Sequence, residues 1–358
     1  MRRLVLVFIL AATLAFGRWP SADAQPSTPD FGDGSGGAIT FSADTQFNPP
    51  VDAVVNSGSA GGTTLTVSSL SGVFQPGQKI LIPSLKNADA IAVSSIKNAR
   101  LAVVGCGTSW FMAQSVAALR EAAGLGETDA FTPTEMPPGR RYDAVVVISR
   151  SGTTTEIVRA LRAVPPGTPT IAVSAVPDSP VVRAAGRSLL LEAADERSVV
   201  QTRFATTVLA LFRATFGEDL GPAIADAERA LAEPLPFDPV AFEHFVFLGR
   251  GWTIGLANEA ALKLREACQA WTEAYPAMEY RHGPISVAEP HSVVWALGDI
   301  EAELLEQVAR TGATVVASEL DPMAELVRVH RVAGLLAEAK GLDPDRPRHL
   351  TRSVVLRS

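Results

Sequence analysis

Short apolar runs alternate with longer amphipathic segments from Ala99 to the C-terminus. A run of this kind predicts a buried strand of a parallel sheet, because helices cover both faces of such a sheet and leave no polar side. The strands predicted in this way span residues 101–104, 144–148, 170–174, 189–191, 245–248, 293–296 and 314–317.

The segments between these runs carry apolar residues at the helical period. They predict helices over residues 110–123, 154–163, 202–216, 254–270 and 327–340. The proline-rich stretch 233–240 (EPLPFDPV) interrupts the alternation, which then starts again, so it is predicted to be a linker. The pattern therefore predicts two related α/β domains, and ligand is expected at the carboxyl ends of their strands.

The first hundred residues follow a different pattern. Residues 1–24 combine a basic start, an apolar run and the sequence Ala22-Asp23-Ala24, which together are typical of a secretory signal peptide. Residues 25–97 are rich in Gly, Ser and Thr and show no helical period, which predicts short exposed strands and loops. A hairpin is predicted over 73–82, around Pro76-Gly77.

Composition narrows the class of protein. At 358 residues, with 47% hydrophobic and 19% charged residues, the chain has room for two globular domains. The net charge of −7 argues against general nucleic-acid binding, which requires a basic surface. Cys106 and Cys268 are far apart within apolar segments and are expected to be small buried hydrophobes. The histidines show no ligand spacing, so no metal and no cofactor is predicted.

The most informative segment directly follows the strand predicted over 144–148. It has five hydroxyl side chains in the seven positions 149–155 and leads into a helix. Free N–H groups and the positive end of the helix dipole attract an anion there, and the hydroxyls add further donors. Helix capping alone needs one or two hydroxyls, so an anion site is favoured over a structural cap.

A second turn, Gly105-Cys106-Gly107-Thr108-Ser109, begins like a dinucleotide fingerprint. The third glycine position is occupied by Trp110, which is too large for the close packing that a pyrophosphate site requires. A nicotinamide or flavin site is therefore disfavoured. The alternatives are a plain tight turn and a second set of donors to the same anion.

These segments carry a resemblance to a known family. The hydroxyl-rich loop resembles the phosphate loop of the SIS (sugar isomerase) fold, whose pattern is close to S-x-S-G-x-T. Four more segments in the same order resemble the isomerase module of glutamine–fructose-6-phosphate aminotransferase. They are residues 103–109 (VVGCGTS), 196–207 (ERSVVQTRFATT), 247–266 (beginning FLGRG and ending EAALKLRE) and 273–284 (EAY followed by EYRHGP).

The resemblance implies an α/β fold of two SIS-type three-layer α/β/α domains with parallel sheets, at 98–232 and 241–358. The Gly/Ser/Thr-rich leader is atypical of it. The substrate would be a sugar phosphate and the assembly a homodimer, with no nucleic acid and no membrane span. The residues expected to bind substrate are Thr108, Ser109, Ser149, Arg150, Ser151, Thr154, Thr202 and Lys263.

Three positions are expected to be catalytic. Glu266 matches the family glutamate that moves a proton between the sugar's C1 and C2, although a salt-bridged helix face would also explain Glu259, Lys263 and Glu266. His282 matches the ring-opening histidine, which in the related module reaches the site of the neighbouring subunit. Arg352 stands where the synthase has a lysine that forms an imine, and arginine cannot form one.

The sequence also shows no glutaminase segment ahead of the SIS pattern, so glutamine-dependent amination is not expected. The function that fits is an isomerase or an isomerising deaminase of a hexose phosphate or amino-sugar phosphate. The alternatives are a non-catalytic phosphosugar sensor and an inactive fusion product. Sugar phosphates are intracellular, so a cytoplasmic SIS body is expected. The signal-like start then indicates either an exported fusion or a join near residues 83–100.

Overall fold

The computed structural model describes residues 98–356, together with the backbone of the two short strands β1 (Asp52–Gly58) and β2 (Leu65–Ser71). These two strands pair antiparallel. The predicted signal peptide and the predicted hairpin over 73–82 lie outside the described residues.

A five-stranded parallel sheet forms the first half of the body. Its strand order is β4-β3-β5-β6-β7. The strands are β3 (Leu101–Gly105), β4 (Thr128–Phe131), β5 (Ala144–Ile148), β6 (Thr170–Ser174) and β7 (Arg187–Leu190). The helices are α1 (Thr108–Ala122), α2 (Thr155–Ala163), α3 (Pro180–Ala184), α4 (Arg203–Thr215) and α5 (Gly221–Ala232).

A four-stranded parallel sheet forms the second half, with strand order β11-β10-β8-β9. The strands are β8 (His244–Gly249), β9 (Trp271–Pro276), β10 (Ser292–Leu297) and β11 (Thr314–Val316). The helices are α6 (Thr253–Cys268), α7 (Ala302–Ala309) and α8 (Pro322–Ala339).

Alternate residues of each central strand enter different cores, as the period of two in a strand requires. In β3, Leu101 and Val103 face a large core between the two sheets, whereas Ala102 and Val104 face an outer core. The large core also takes residues from α1, α4, α6 and α8, so the two halves share one apolar interior. The central strands are therefore apolar throughout, and this is why their positions could be predicted from the sequence.

The two halves repeat one local geometry where the first strand passes into its helix. A Cβ added to Gly105 would lie 2.4 Å from the backbone of Ser109, and one added to Gly249 would lie 2.4 Å from the carbonyl oxygen of Thr253. Two residues after each of these glycines, Gly107 and Gly251 adopt positive φ angles of 54° and 55°. In both halves the helix therefore starts so close to the strand that only glycine fits.

In the first sheet the chain passes from β3 to β4 on one side and then to β5 on the other side. The switch point of this sheet therefore lies between β3 and β5. At such a point the loops that leave the two strands diverge and open a crevice at the carboxyl edge of the sheet. The loops that leave β3 and β5 are the two turns that the sequence marks for anion binding. Among residues 98–356 and the two short strands, no helix has the length and the apolar content needed to cross a membrane.

Candidate functional site

The turn after β3 and the loop after β5 meet in one small polar pocket. Hydroxyl groups from both of them, Ser109 on one side and Ser149, Ser151 and Thr154 on the other, line it. Its remaining lining residues are Cys106, Ile148, Arg150, Ile157, Gln201 and Arg352. The pocket lies at the switch point of the first sheet, where the topology places a ligand.

The hydroxyls that line the pocket are available for a ligand. Thr154 is the N-cap residue of α2, yet its side chain makes no capping hydrogen bond. The Ser151 hydroxyl oxygen accepts a hydrogen bond from the Thr153 backbone N–H at 3.2 Å and lies 3.1 Å from the Thr153 hydroxyl, so the Ser151 proton can be donated either to that hydroxyl or to a ligand. This cluster of donors at a helix N-terminus can hold an anion without a metal ion.

Gly152 gives this loop its shape. It has a φ angle of 62°, and a Cβ at this position would lie 1.9 Å from the Ser179 hydroxyl oxygen. A larger residue would therefore be strained both by its backbone conformation and by its neighbour.

The C-terminal tail crosses the same loop and carries Arg352 to the pocket. The Val354 carbonyl accepts a hydrogen bond from the Thr155 N–H at 3.2 Å, and the Thr153 hydroxyl donates to Ser353 at 2.8 Å. The Arg352 guanidinium donates to the Asp195 carboxylate and to the Glu196 carbonyl. Arg352 thus contributes a fixed cation to the pocket.

Arg150 lines the pocket, but its donors are used mainly to hold the surrounding chain. Its guanidinium donates to the carbonyls of Ser198, Val199 and Arg352 at 2.7, 3.3 and 3.2 Å. Burial lowers the pKa of Arg150, whereas the negative charges of Glu196, Asp195 and Glu266 raise it.

Helix α6 brings three charged side chains to the turn after β3. Lys263 Nζ lies 2.5 Å from Glu266 Oε2, 3.4 Å from Glu259 Oε1, and 3.0 Å from the Thr108 hydroxyl oxygen, to which it donates. The Thr108 hydroxyl in turn donates to Glu259 at 3.3 Å. A helix of the second half therefore lies against the turn after β3 in the first half.

The three charged side chains differ in their exposure, and burial acts on the pKa of the two that are buried. Glu259 and Lys263 are buried, whereas the Glu266 side chain is 18% exposed. Burial raises the pKa of Glu259 to about 7, even though Lys263 lowers it. Burial lowers the pKa of Lys263, but Glu259 and Glu266 more than offset this effect, so the net shift is upward. Lys263 stays charged, and Glu266 is the carboxylate of this set that is open to solvent.

Cys106 departs from the sequence expectation. It lies on the turn between β3 and α1 and is partly exposed to the pocket, whereas Cys268 is buried at the end of α6 as expected. Burial, and to a lesser extent the charge of Glu156, raises the pKa of the Cys106 thiol to about 12. The thiol therefore lines the pocket as a neutral group.

Five of the residues expected at the site are not among those that line the pocket: Thr202, His282, and the set of Thr108, Lys263 and Glu266 that is joined through Lys263. The Thr202 hydroxyl donates to Glu196 at 3.1 Å, because Glu196 caps the start of α4. His282 lies exposed at the end of a 3-10 helix (Ala277–His282) in the second half.

Sequence reasoning missed Gln201 and Glu196. Gln201 lines the pocket, and the Glu196 carboxylate accepts hydrogen bonds from the backbone N–H groups of Thr202, Arg203 and Phe204 at 3.1 to 3.3 Å. The spacing of Glu196 ahead of a helix start was a usable signal for the cap. Gln201 gave no such signal, because its position depends on how the segment before α4 folds back over the sheet.

No group of three or more His, Cys, Asp and Glu side chains in the described part of the chain is arranged to hold a metal ion. The donor set of the pocket consists of hydroxyls and guanidinium groups, which are suited to an anion and not to a cation.

Comparison with known proteins agrees with this geometry. Residues 96–216 match the family described as SIS domain. A glutamine--fructose-6-phosphate aminotransferase [isomerizing] from Xanthomonas campestris is 30% identical over 318 residues, which are 71% of this chain and 51% of that protein. The corresponding enzyme from Sulfurisphaera tokodaii is 26% identical over 303 residues, which are 74% of this chain and 51% of that protein. The chain spans about half the length of the curated relatives it matches.

Solved structures show the same fold. Glucosamine-6-phosphate deaminase from Thermotoga maritima has a TM-score of 0.65 at 23% identity and covers 75% of this chain and 93% of its own. The C-terminal domain of glucosamine-fructose-6-phosphate aminotransferase from Francisella tularensis has a TM-score of 0.63 at 22% identity, with 74% and 90% covered. The chain thus contains a SIS domain and has homology to the isomerase part of these aminotransferases.

Proposed function

We propose that this protein is a phosphosugar isomerase or isomerising deaminase that acts on a hexose phosphate or amino-sugar phosphate. The observation that carries the proposal is the convergence of four pocket hydroxyls and Arg352 at the switch point of the sheet, with Lys263 joining the carboxylate of Glu266 to the Thr108 hydroxyl of the turn after β3. A pocket of donors holds the phosphate, and a carboxylate beside it is suited to moving a proton between adjacent carbons.

The roles of the residues follow from their contacts. Ser109, Ser149, Ser151 and Thr154 bind the phosphate oxygens. Lys263 holds Glu266 in place through their 2.5 Å contact. Glu266 removes a proton from one carbon of the open-chain sugar and returns it to the neighbouring carbon, through a cis-enediol or an enamine. The experiment that tests this role is the replacement of Glu266 by glutamine, described in the Discussion.

The second sheet is proposed to be a second SIS domain that supplies helix α6 but binds no phosphate. The glycine geometry of β3 recurs in β8, which supports the repeat. The loops at the second switch point differ, because Arg250 and Glu301 form an ion pair there at 3.0 Å where the first sheet has its hydroxyl-rich loop. Each chain would therefore bind one sugar phosphate.

A homodimer is proposed because it can bring His282 to a site. His282 is exposed at the end of the 3-10 helix Ala277–His282, which is followed by a second 3-10 helix, Pro284–Val287. These two helices also carry Met278 and Val287, whose exposures of 39% and 55% are high for apolar side chains. Burial of such exposed apolar side chains against a partner subunit is favourable. The partner subunit would then receive the imidazole that opens the sugar ring.

Phosphate is predicted to dominate binding. Hexose 6-phosphate should bind and the unphosphorylated hexose should not, because each hydrogen bond to a charged group contributes about 1.5–3 kcal/mol. Thr154→Val removes one such donor and should weaken binding of glucose 6-phosphate about 10- to 100-fold in calorimetry. Thr168→Val, in the turn after α2, is the matched control and should leave binding unchanged. Equal affinity of the protein for glucose and glucose 6-phosphate would contradict the phosphate site.

Arg352 leads to a prediction about covalent chemistry. Because a guanidinium cannot form an imine, borohydride treatment with fructose 6-phosphate should leave the mass of the protein unchanged. Arg352→Lys introduces an amine at the same place and tests whether the position can support an adduct. An adduct on Lys263 in the unaltered protein, found by peptide mass spectrometry, would show that the pocket uses imine chemistry after all.

A further inference from the structure

Gln201 is the one carboxamide among the residues that line the pocket, and its chemistry differs from that of its neighbours. The hydroxyls and guanidinium groups around it offer protons to an anion. The Gln201 side-chain oxygen, Oε1, can only accept a hydrogen bond, and it is buried with no hydrogen-bond partner. A buried polar atom without a partner is costly, so its place in a ligand pocket requires an explanation.

The backbone on both sides of Gln201 is fixed. On the amino-terminal side, Arg150 binds the Ser198 and Val199 carbonyls, and the Val199 N–H donates to the Asp345 carbonyl at 3.2 Å. On the carboxyl-terminal side, the Glu196 carboxylate accepts hydrogen bonds from the first N–H groups of α4. Gln201 is thus presented to the pocket by a rigid frame, as a specificity determinant requires.

The same capping excludes one other explanation. The start of α4 could have been a second anion site, and Gln201 could have served it. Because the Glu196 carboxylate already fills the donors of that helix start, an anion would meet a negative charge there. Gln201 therefore faces the pocket shared with the hydroxyl-rich loop and serves no anion site of α4.

We infer that Gln201 is a specificity-determining residue, whose side-chain oxygen accepts a hydrogen bond from a hydroxyl or amino group of the sugar. The partial negative charge of the side-chain oxygen repels phosphate oxygens, so the group that lies against this oxygen is a donor of the sugar, whereas the amide nitrogen makes no such distinction. This inference rests on the proposed function, and it divides the pocket into a donor-rich phosphate end and an acceptor end for the sugar.

The test measures binding of three probes by calorimetry: inorganic phosphate, glucose 6-phosphate and glucosamine 6-phosphate. Gln201→Leu keeps the approximate size of the side chain but removes the acceptor. If Gln201 contacts a sugar hydroxyl, the variant should weaken binding of glucose 6-phosphate about 3- to 10-fold. If Gln201 contacts the protonated amine of glucosamine 6-phosphate, binding of that sugar should weaken about 10- to 100-fold. Binding of inorganic phosphate should not change. Gln307→Leu, on α7, where the Gln307 amide donates to Glu303, is the matched control.

A second variant identifies the donor and covers the case in which Gln201→Leu folds poorly. Gln201→Glu places a negative charge at the acceptor. If Gln201 contacts the amine, this variant should bind glucosamine 6-phosphate more tightly relative to glucose 6-phosphate. If Gln201 contacts a hydroxyl, binding of both sugar phosphates should weaken to a similar extent. Either result supports a sugar contact.

The inference is overturned if Gln201→Leu weakens inorganic phosphate as much as the sugar phosphates, or if it changes none of the three affinities. These outcomes are separate from a failure of the proposed function. A protein that binds glucose 6-phosphate through Gln201 but never exchanges a sugar proton with solvent would retain the binding role and lose the catalytic one.

Discussion

Glu266→Gln should reduce turnover of the sugar phosphate about 10²- to 10⁴-fold, which is the typical contribution of a general base. The substitution keeps the size of the side chain and an oxygen that can accept from Lys263, and it removes the basicity. The dissociation constant for glucose 6-phosphate should stay the same, because the phosphate donors lie on other elements. Solvent deuterium incorporation at C1 or C2, followed by NMR, measures the proton transfer directly.

Glu228→Gln, at an exposed position of α5, is the matched control and should keep wild-type exchange. If exchange persists at the wild-type rate in Glu266→Gln, another residue is the base. If the unaltered protein exchanges no proton with any hexose phosphate but still binds one, the sensor function is favoured over the enzyme.

The same variant also tests the proposed dimer. Inactive Glu266→Gln and inactive His282→Asn chains should recover part of the activity when they are unfolded together and refolded, because a mixed dimer contains one site with both native residues. A mixture that stays inactive while mixed dimers form would show that both residues serve the same chain.

Gly105→Ala should lower the free energy of unfolding by more than about 3 kcal/mol, above the usual range for overpacking, because the new Cβ would meet backbone atoms that cannot rotate away. Relief of the clash requires Ser109 and the start of α1 to move away from β3. The fraction of protein that stays folded should therefore also bind phosphate more weakly, since Ser109 lines the pocket. Urea unfolding and calorimetry measure the two effects.

Two glycine variants separate packing from the pocket. Gly107→Ala meets no atom within 4 Å and should cost about 1–3 kcal/mol, for its backbone conformation alone. Gly249→Ala creates the same clash as Gly105→Ala, but in the second half, so it should destabilise the protein without weakening phosphate binding in the folded fraction. Wild-type stability of Gly105→Ala would contradict the close approach of strand and helix.

The order of strands and helices could be predicted where a strand is buried on both faces. The strands at 144–148 and 170–174 have the predicted bounds, because nearly all of their residues enter an apolar core. The edge strands Thr128–Phe131 and Trp271–Pro276 were missed. Their side chains are mostly half-buried or exposed, so these segments need no continuous apolar run and leave no such signal in the sequence.

Three helices were also missed, for a related reason. Helix α5 (Gly221–Ala232) buries only alanines, and α3 (Pro180–Ala184) buries a single valine, so neither shows a strong apolar stripe. Helix α7 (Ala302–Ala309) is two turns long and buries Leu304 and Val308. Such short or weakly apolar segments are stabilised as helices by their packing against the rest of the fold, which a local pattern does not reveal.

The sequence alone determined the hydroxyl-rich loop, its position after a buried strand and the helix face shared by Glu259, Lys263 and Glu266, because these depend on spacing along one element. Only the tertiary structure decided that α6 of the second half lies against Thr108 of the first, that the tail carries Arg352 to Asp195, and that Gln201 faces the pocket. Those contacts join residues 150 or more positions apart, or depend on how one segment folds back over the sheet. They are fixed by the packing of the two sheets around one core, and no local pattern encodes it.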